Sequence, residues 1–231
     1  WVKTNCLGKL NLIRELNKIK NIKYVRISTP EVYGANTNKI KEDDKIFPST
    51  PYAITQSTAD FFTFAYTKFK GFNSITLRFA NFYGPGQQLF RIIPKTIISI
   101  LQRKKLSIHG DGSSLRSFIF PTDFSESILL AIKKGKKNEV YNISPPTEIS
   151  IINLVKLICK IMKYNDKKLV VFTKDRVGKD LRYMMDSKKA NKDLGWRNKI
   201  TLKKGLKTTI DWHIQNFKKL NKLNSTYIHK K

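Results

Sequence analysis

Residues Ile22 to Gly34 read IKYVRISTPEVYG. The first seven are short and β-branched, which predicts a buried strand ending at Ser28, and STPEVYG then predicts a loop. A second such unit lies at Ser74 to Gly86, where the strand-like SITLRF runs into ANFYGPG. Helical spacing precedes each strand: Leu7, Leu10, Leu12, Ile13, Leu16 and Ile19 within Thr4 to Lys20, and the run Tyr52 to Lys70 (YAITQSTADFFTFAYTKFK). Helix, strand, helix, strand in this rhythm predicts an α/β fold with a parallel sheet.

Further along, helices are predicted over Ile92 to Arg103, Phe124 to Lys133 with Asp123 as N-cap, Ile151 to Met162 and Leu202 to Phe217. Strands are predicted over Ser117 to Phe120, Val140 to Ile143 and Leu169 to Phe172. Leu106 to Ile108 leads into the turn His109-Gly110-Asp111-Gly112, and residues 43–51 form a proline-bounded loop.

The chain has 231 residues, 40% of them hydrophobic and 11% aromatic, enough for a packed core. Its apolar runs are only a few residues long, too short for a membrane span. Two cysteines, Cys6 and Cys159, form neither a disulfide framework nor a metal cluster and predict buried thiols in a reducing compartment, the cytoplasm. The formal charge is +28, from 45 basic and 17 acidic residues. Such a balance ordinarily points to nucleic acid. Only nine of the basic residues are Arg, however, the lysines are dispersed, and no nucleic-acid motif is found, so a small anionic ligand is expected instead. The chain opens on Trp1 and its first methionine is Met162; it is expected to belong to a longer protein.

In doubly wound sheets ligands bind beyond the carboxyl ends of the strands. The polar residues there, Ser28, Thr29, Glu31, Tyr33 and Asn81, are site candidates, with Tyr52 at the start of the helix that follows. Taken singly, each has an ordinary reading: Ser28 and Thr29 as loop caps, Glu31 as a solvated charge, Tyr52 as a packing aromatic.

Taken together, STPEVYG, PSTPYAITQSTAD and RFANFYGPG resemble the extended short-chain dehydrogenases, in particular the nucleotide-sugar 4,6-dehydratases of the dTDP-glucose type. IHGDGSSLRSFIFPTDF, EVYNIS and DRVGKDLRYMMDSKKANKDLGW extend the resemblance from Val2 to about Phe217. It implies a partial Rossmann-type sheet, lacking its first strands and the G-x-x-G-x-x-G turn that cradles NAD, with a smaller C-terminal α/β substrate domain. The implied division puts 1–90, rejoined by about 117–145, in the NAD-binding domain. Residues 91–116 and 146–217 form the substrate domain, and 218–231 a basic tail. On this basis the chain is about two-thirds of a protein of more than 300 residues.

The resemblance also implies roles. Tyr52 takes the proton from the sugar 4-hydroxyl as hydride passes to NAD, Thr29 orients that hydroxyl, and Glu31 removes the C5 proton before water leaves C6. Asn5, Ser28, Tyr52 and Gln56 fall at cofactor-binding positions. Asn81, Arg91, Arg116, Arg176 and Tyr183 fall at positions that bind the nucleoside-diphosphate sugar, the arginines matching its pyrophosphate. No metal is implied. Family members commonly form homodimers through the helices matching Thr4–Lys20 and Tyr52–Lys70, and the aromatics Phe61, Phe62, Phe64 and Tyr66 suit either that interface or a core.

Two positions depart from the family pattern. The Lys of Tyr-x-x-x-Lys is Gln56, which can hydrogen-bond a ribose but supplies no charge to lower a phenol pKa of about 10. No other lysine lies within a helical turn of Tyr52. The acid between Thr and Glu is Pro30, which cannot donate a proton. These departures leave an epimerase or decarboxylase of the same superfamily, or a non-catalytic sugar-nucleotide-binding relative, as alternatives to a dehydratase.

Overall fold

The computed structural model describes residues 1–175 and 181–225. A π-helical segment, Val2–Gly8, runs into α1 (Lys9–Leu16). β1 (Tyr24–Ser28) is followed by a 3-10 turn, Pro30–Tyr33, and then by α2 (Pro51–Lys70), β2 (Ser74–Phe79) and the short β3 (Asn81–Phe82). Next come α3 (Ile92–Leu101), β4 (Leu106–His109), β5 (Leu115–Arg116), β6 (Phe118–Ile119) and α4 (Pro121–Lys134). The chain continues through β7 (Val140–Ile143), β8 (Ile149–Ser150), α5 (Ile151–Ile161), α6 (Asp166–Leu169), β9 (Val170–Thr173), α7 (Lys188–Leu194), α8 (Leu202–Gln215) and α9 (Phe217–Leu220).

The expected parallel sheet is present as β1-β2-β7. Ser28 pairs with Arg78 and Phe79 with Ile143, both in parallel register, so the two loops named from the sequence after β1 and β2, and the one after β7, leave the sheet at its carboxyl end. Smaller pairs flank it: β3 with β6 and β4 with β9, both parallel, and β5 with β8, antiparallel.

Helix α2 begins as its sequence dictates. The Thr50 hydroxyl accepts from the Ala53 N–H, Pro51 sits where no helical N–H is needed, and Gly71 ends the helix in the left-handed region. Its buried face is made of small and hydroxylated residues. Ser57, Thr63 and Thr67 donate to carbonyls one turn back, and the Thr67 hydroxyl meets that of Ser74 on β2 at 2.6 Å. This lets α2 lie over β1 and β2 with room for the side chains that the strands send up to it.

Local details differ from the sequence reading. The first helix is broken: a π-helical segment covers the residues before Lys9, and the α-helix ends at Leu16 rather than Lys20. Asp123 is not the cap of α4. The helix starts at Pro121, and the Asp123 carboxylate accepts from the backbone N–H groups of Lys199 and Ile200, tying down the segment before α8. The helix predicted to run to Phe217 ends at Gln215, and the short α9 follows as a separate element.

Two main apolar clusters form. One packs the sheet against α4 and α7 through Ile75, Leu77, Ile119, Tyr141 and Trp196. The other fills the space between α3, α5, α8 and β4 with Ile93, Ile97, Leu106, Leu154, Ile158 and Leu206. In the second, Gly205 is required by close approach, because a methyl there would collide with the Tyr83 hydroxyl. No helix of the described residues is long and apolar enough to cross a membrane.

Candidate active site

The site candidates gather where β1 ends. The Thr29 hydroxyl accepts from the Glu31 N–H at 3.3 Å and caps the 3-10 turn, with Pro30 at its first position. The turn ends at Gly34, whose φ of 69° and position against the Phe47 carbonyl oxygen leave no room for a side chain. Tyr33, buried, donates from its hydroxyl to the Asn142 amide oxygen on β7 at 3.0 Å. The turn is thereby locked to the sheet edge, and Glu31 is near enough for its charge to act on Tyr52.

Tyr52 and Gln56 lie one turn apart on α2, both half-buried. Burial pushes the Tyr52 phenol above its ordinary pKa, and the carboxylate of Glu31 adds to the rise. Arg91, the nearby side chain of Gln56 and the guanidinium of Arg26 act in the opposite sense. The edge of Trp1 meets the Tyr52 ring, with centroids 5.9 Å apart. Asn5 reaches α2 as well, donating to the Thr55 hydroxyl at 3.0 Å.

Below these residues lies a buried charge cluster that the sequence reading did not single out. Asp60 receives Arg26 Nε at 2.6 Å on one oxygen and Arg78 Nη2 at 3.0 Å on the other, while the Ser28 hydroxyl lies 2.9 and 3.1 Å from the two. Ser28, expected near the cofactor, thus turns its hydroxyl toward the interior. Arg26 Nη2 also donates to the carbonyl and the side-chain oxygen of Gln56, at 3.0 and 2.9 Å. The signal was available: one arginine in each of two otherwise apolar strands, and an aspartate on the same helix face as Gln56.

The candidate substrate side is assembled next to the turn. Tyr183 packs with Val32 and Tyr33, directly after Glu31 in the chain, and its ring carries the Arg116 guanidinium 4.2 Å from the centroid. Arg116 Nη1 donates to the carbonyls of Leu115 and Leu181, at 2.7 and 3.2 Å. Asn81 donates to the carbonyl of Ser117, the neighbour of Arg116. Arg91, exposed before α3, is near enough for its charge to act on Tyr52. Arg176 lies outside the described residues.

This arrangement offers a phenol, a carboxylate and a hydroxyl at one corner, with guanidinium groups beside them. It can move protons to and from a polyol held there by its anionic end.

The family model described as GDP-mannose 4,6 dehydratase matches residues 1–209. The dTDP-D-glucose 4,6-dehydratase of Homo sapiens is 35% identical over 219 residues, which cover 92% of this chain and 62% of that protein. The chain therefore spans less than two-thirds of that relative's length. Among solved structures, the dTDP-glucose 4,6-dehydratase of Bacillus anthracis in complex with NAD superposes with a TM-score of 0.90 at 32% identity, over 94% of this chain and 69% of that one. The UDP-glucuronic acid 4-epimerase of Bacillus cereus, in complex with UDP-glucuronic acid and NAD, gives 0.89 at 28% identity, over 93% and 68%.

Proposed function

The chain belongs to the NAD-dependent epimerase/dehydratase family, on its dTDP-glucose 4,6-dehydratase-like side, and from that premise we propose that it serves an NAD-dependent nucleotide-sugar 4,6-dehydratase. The observation that carries the reading is the corner formed by Thr29, Glu31 and Tyr52 at the carboxyl edge of the parallel sheet, with Arg116 stacked on Tyr183 beside it.

Tyr52 and Gln56 present half-buried polar groups beside the end of β1, a donor set suited to the nicotinamide and ribose end of NAD. The 11 glycines of the chain contain no G-x-x-G-x-x-G, so a pyrophosphate cradle of that kind is not among these residues. When bound, NAD supplies the reversible removal of hydride from the sugar. Tyr52, as phenolate, accepts the proton of the 4-hydroxyl, and the Thr29 hydroxyl orients that group. Glu31 takes the proton at C5, made acidic by the 4-keto group. Arg116, Arg91 and Arg176 neutralise the pyrophosphate of the nucleoside-diphosphate sugar, and Asn5 and Asn81 line the pocket. The domain division implied by the sequence is retained as part of the proposal, although Ala190, Leu194 and Trp196 pack on the sheet side and Tyr83 and Phe118 join the cluster around α5.

The full-length protein that contains this chain, incubated with NAD and dTDP-glucose or UDP-glucose, is expected to form a 4-keto sugar that absorbs in alkali, and Tyr52→Phe to abolish it; these 231 residues alone are expected to be inactive. Binding of neither NAD nor a nucleoside-diphosphate sugar would reject the reading.

A second reading, a nucleotide-sugar 4-epimerase, is favoured by one observation. Pro30 is buried at the head of the turn between Thr29 and Glu31, where the dehydratase acid is expected, and epimerisation at C4 needs no acid at C6.

A homodimer is part of the proposal. The adjoining π-helical segment, α1 and α2 carry exposed Val2, Leu7, Leu12, Ile54, Phe61 and Phe69, an apolar surface suited to a second copy. The free thiols of Cys6 and Cys159 support a cytoplasmic location.

A further inference from the structure

Gln56 stands where the family pattern places a lysine, so the helix that bears Tyr52 has no cation one turn along. The structure holds a cation at that point from another element. Arg26, on β1 and 1% exposed, donates from Nη2 to both the main-chain carbonyl and Oε1 of Gln56.

A guanidinium has donors only, so the Gln56 atom it meets is the amide oxygen. The amide N–H₂ is therefore turned away from Arg26, and Gln56 lies one helical turn after Tyr52 on α2. The contact has a defined polarity: guanidinium to amide oxygen, with the amide N–H₂ left for another partner.

The charge balance supports the same role. Arg26 and Arg78 share one carboxylate, Asp60, and all three are at most 1% exposed. Two cations and one anion leave a net positive charge beneath the corner, where water screens little.

We infer that Arg26 is a positioning residue that takes the place of the absent lysine, fixing the Gln56 side chain one turn from Tyr52 and supplying a buried positive charge there from β1. This rests on Tyr52 being the proton acceptor. The other groups facing Tyr52 are Glu31 from the 3-10 turn, which opposes its ionisation, and Arg91 from the start of α3, which favours it. The ring of Trp1, just before the π-helical segment, meets Tyr52 edge-on, Asn5 of that segment is neutral and bonded to Thr55, and Asp60 lies one turn beyond Gln56, already paired with the two arginines.

The test is a ¹⁹F NMR titration of the protein carrying difluorotyrosine, whose more acidic phenol brings the transition into the range where the fold persists. The Tyr52 signal is identified by its loss in Tyr52→Phe, and no cofactor or sugar is added. In Arg26→Met and in Gln56→Met the Tyr52 transition is expected to move up by roughly one pH unit. Arg26→Lys should keep part of the wild-type value, and Arg26→Met combined with Gln56→Lys should recover it. Gln56→Met leaves the Arg26–Asp60 pair intact and decides the matter if Arg26→Met does not fold. An unchanged Tyr52 transition in Gln56→Met and in any folded Arg26→Met would overturn the inference. Turnover of the full-length wild-type protein with nucleotide sugars is followed separately: its absence defeats the functional reading, whereas turnover with an unmoved Tyr52 titration defeats only the role of Arg26.

Discussion

Beneath α2 the protein buries two guanidinium groups, a carboxylate and a row of hydroxyls; between α3, α5 and α8 it buries, among the described residues, no charged carboxylate or guanidinium and packs chiefly Ile and Leu. The two regions fill similar positions between helices and strands, yet they answer to different physics. In the second, burial of apolar area gives non-directional stability and neighbouring shapes can adjust. In the first, the groups are paired at defined distances, Arg78 Nη1 excepted, and what results is position: Ser28 and Gln56 are held in one arrangement at the base of the corner. The polar core lies under the candidate site, and the apolar core stabilises the region that carries Arg116 and the elements after it.

The largest effect is expected from removing the anion that two buried cations share. Asp60→Ala should cost about 3–5 kcal/mol or prevent folding, read from urea denaturation, because it leaves guanidinium charge buried without compensation. Leu154→Ala, in the apolar core, should cost about 3 kcal/mol in the same experiment while leaving the Tyr52 ¹⁹F signal where it was. If Leu154→Ala moved that signal as far as Gln56→Met does, the two cores would not be separable. A smaller loss, about 1 kcal/mol, is expected from Thr201→Ala, since the Thr201 hydroxyl accepts from the Lys204 N–H at the head of α8.

The smallest effect concerns a titratable group at the edge of the apolar region. His213, fully buried in α8, donates from Nδ1 to the Thr209 carbonyl at 2.7 Å, and burial holds its pKa below the ordinary histidine value. The native state therefore keeps it neutral. Its contribution is undiminished above pH ~6.5 and shrinks as acid protonates the unfolded chain first, by less than about 1.4 kcal/mol per pH unit. Thermal melts between neutrality and mild acid should show this slope, and His213→Gln should flatten it.

The parallel sheet and its loops were legible because IKYVRIS and SITLRF are short β-branched runs closed by turn residues, a signal local to each strand. The corner of Thr29, Glu31 and Tyr52 was legible only as a pattern of ordered motifs, since no single residue there departs from an ordinary loop role. What escaped was long-range. Asp123 looks like a helix cap in sequence, but its carboxylate accepts from residues 199 and 200, more than seventy positions away. Arg26 reads as an intrusion in a strand until Asp60 and Gln56 are seen to face it across 34 and 30 residues. The π-helical start had no sequence signature, because the spacing of Leu7, Leu10 and Ile13 suits an unbroken α-helix equally well.

The most direct test of the account is incubation of the full-length protein that contains this chain with NAD and dTDP-glucose in deuterated water, with the sugar followed by NMR. A 4-keto-6-deoxy product carrying one solvent deuteron at C5 is predicted, from Tyr52 acting at the 4-hydroxyl and Glu31 at C5. Recovery of the sugar unoxidised and without deuterium, with NAD and nucleoside diphosphates failing to bind, would contradict it.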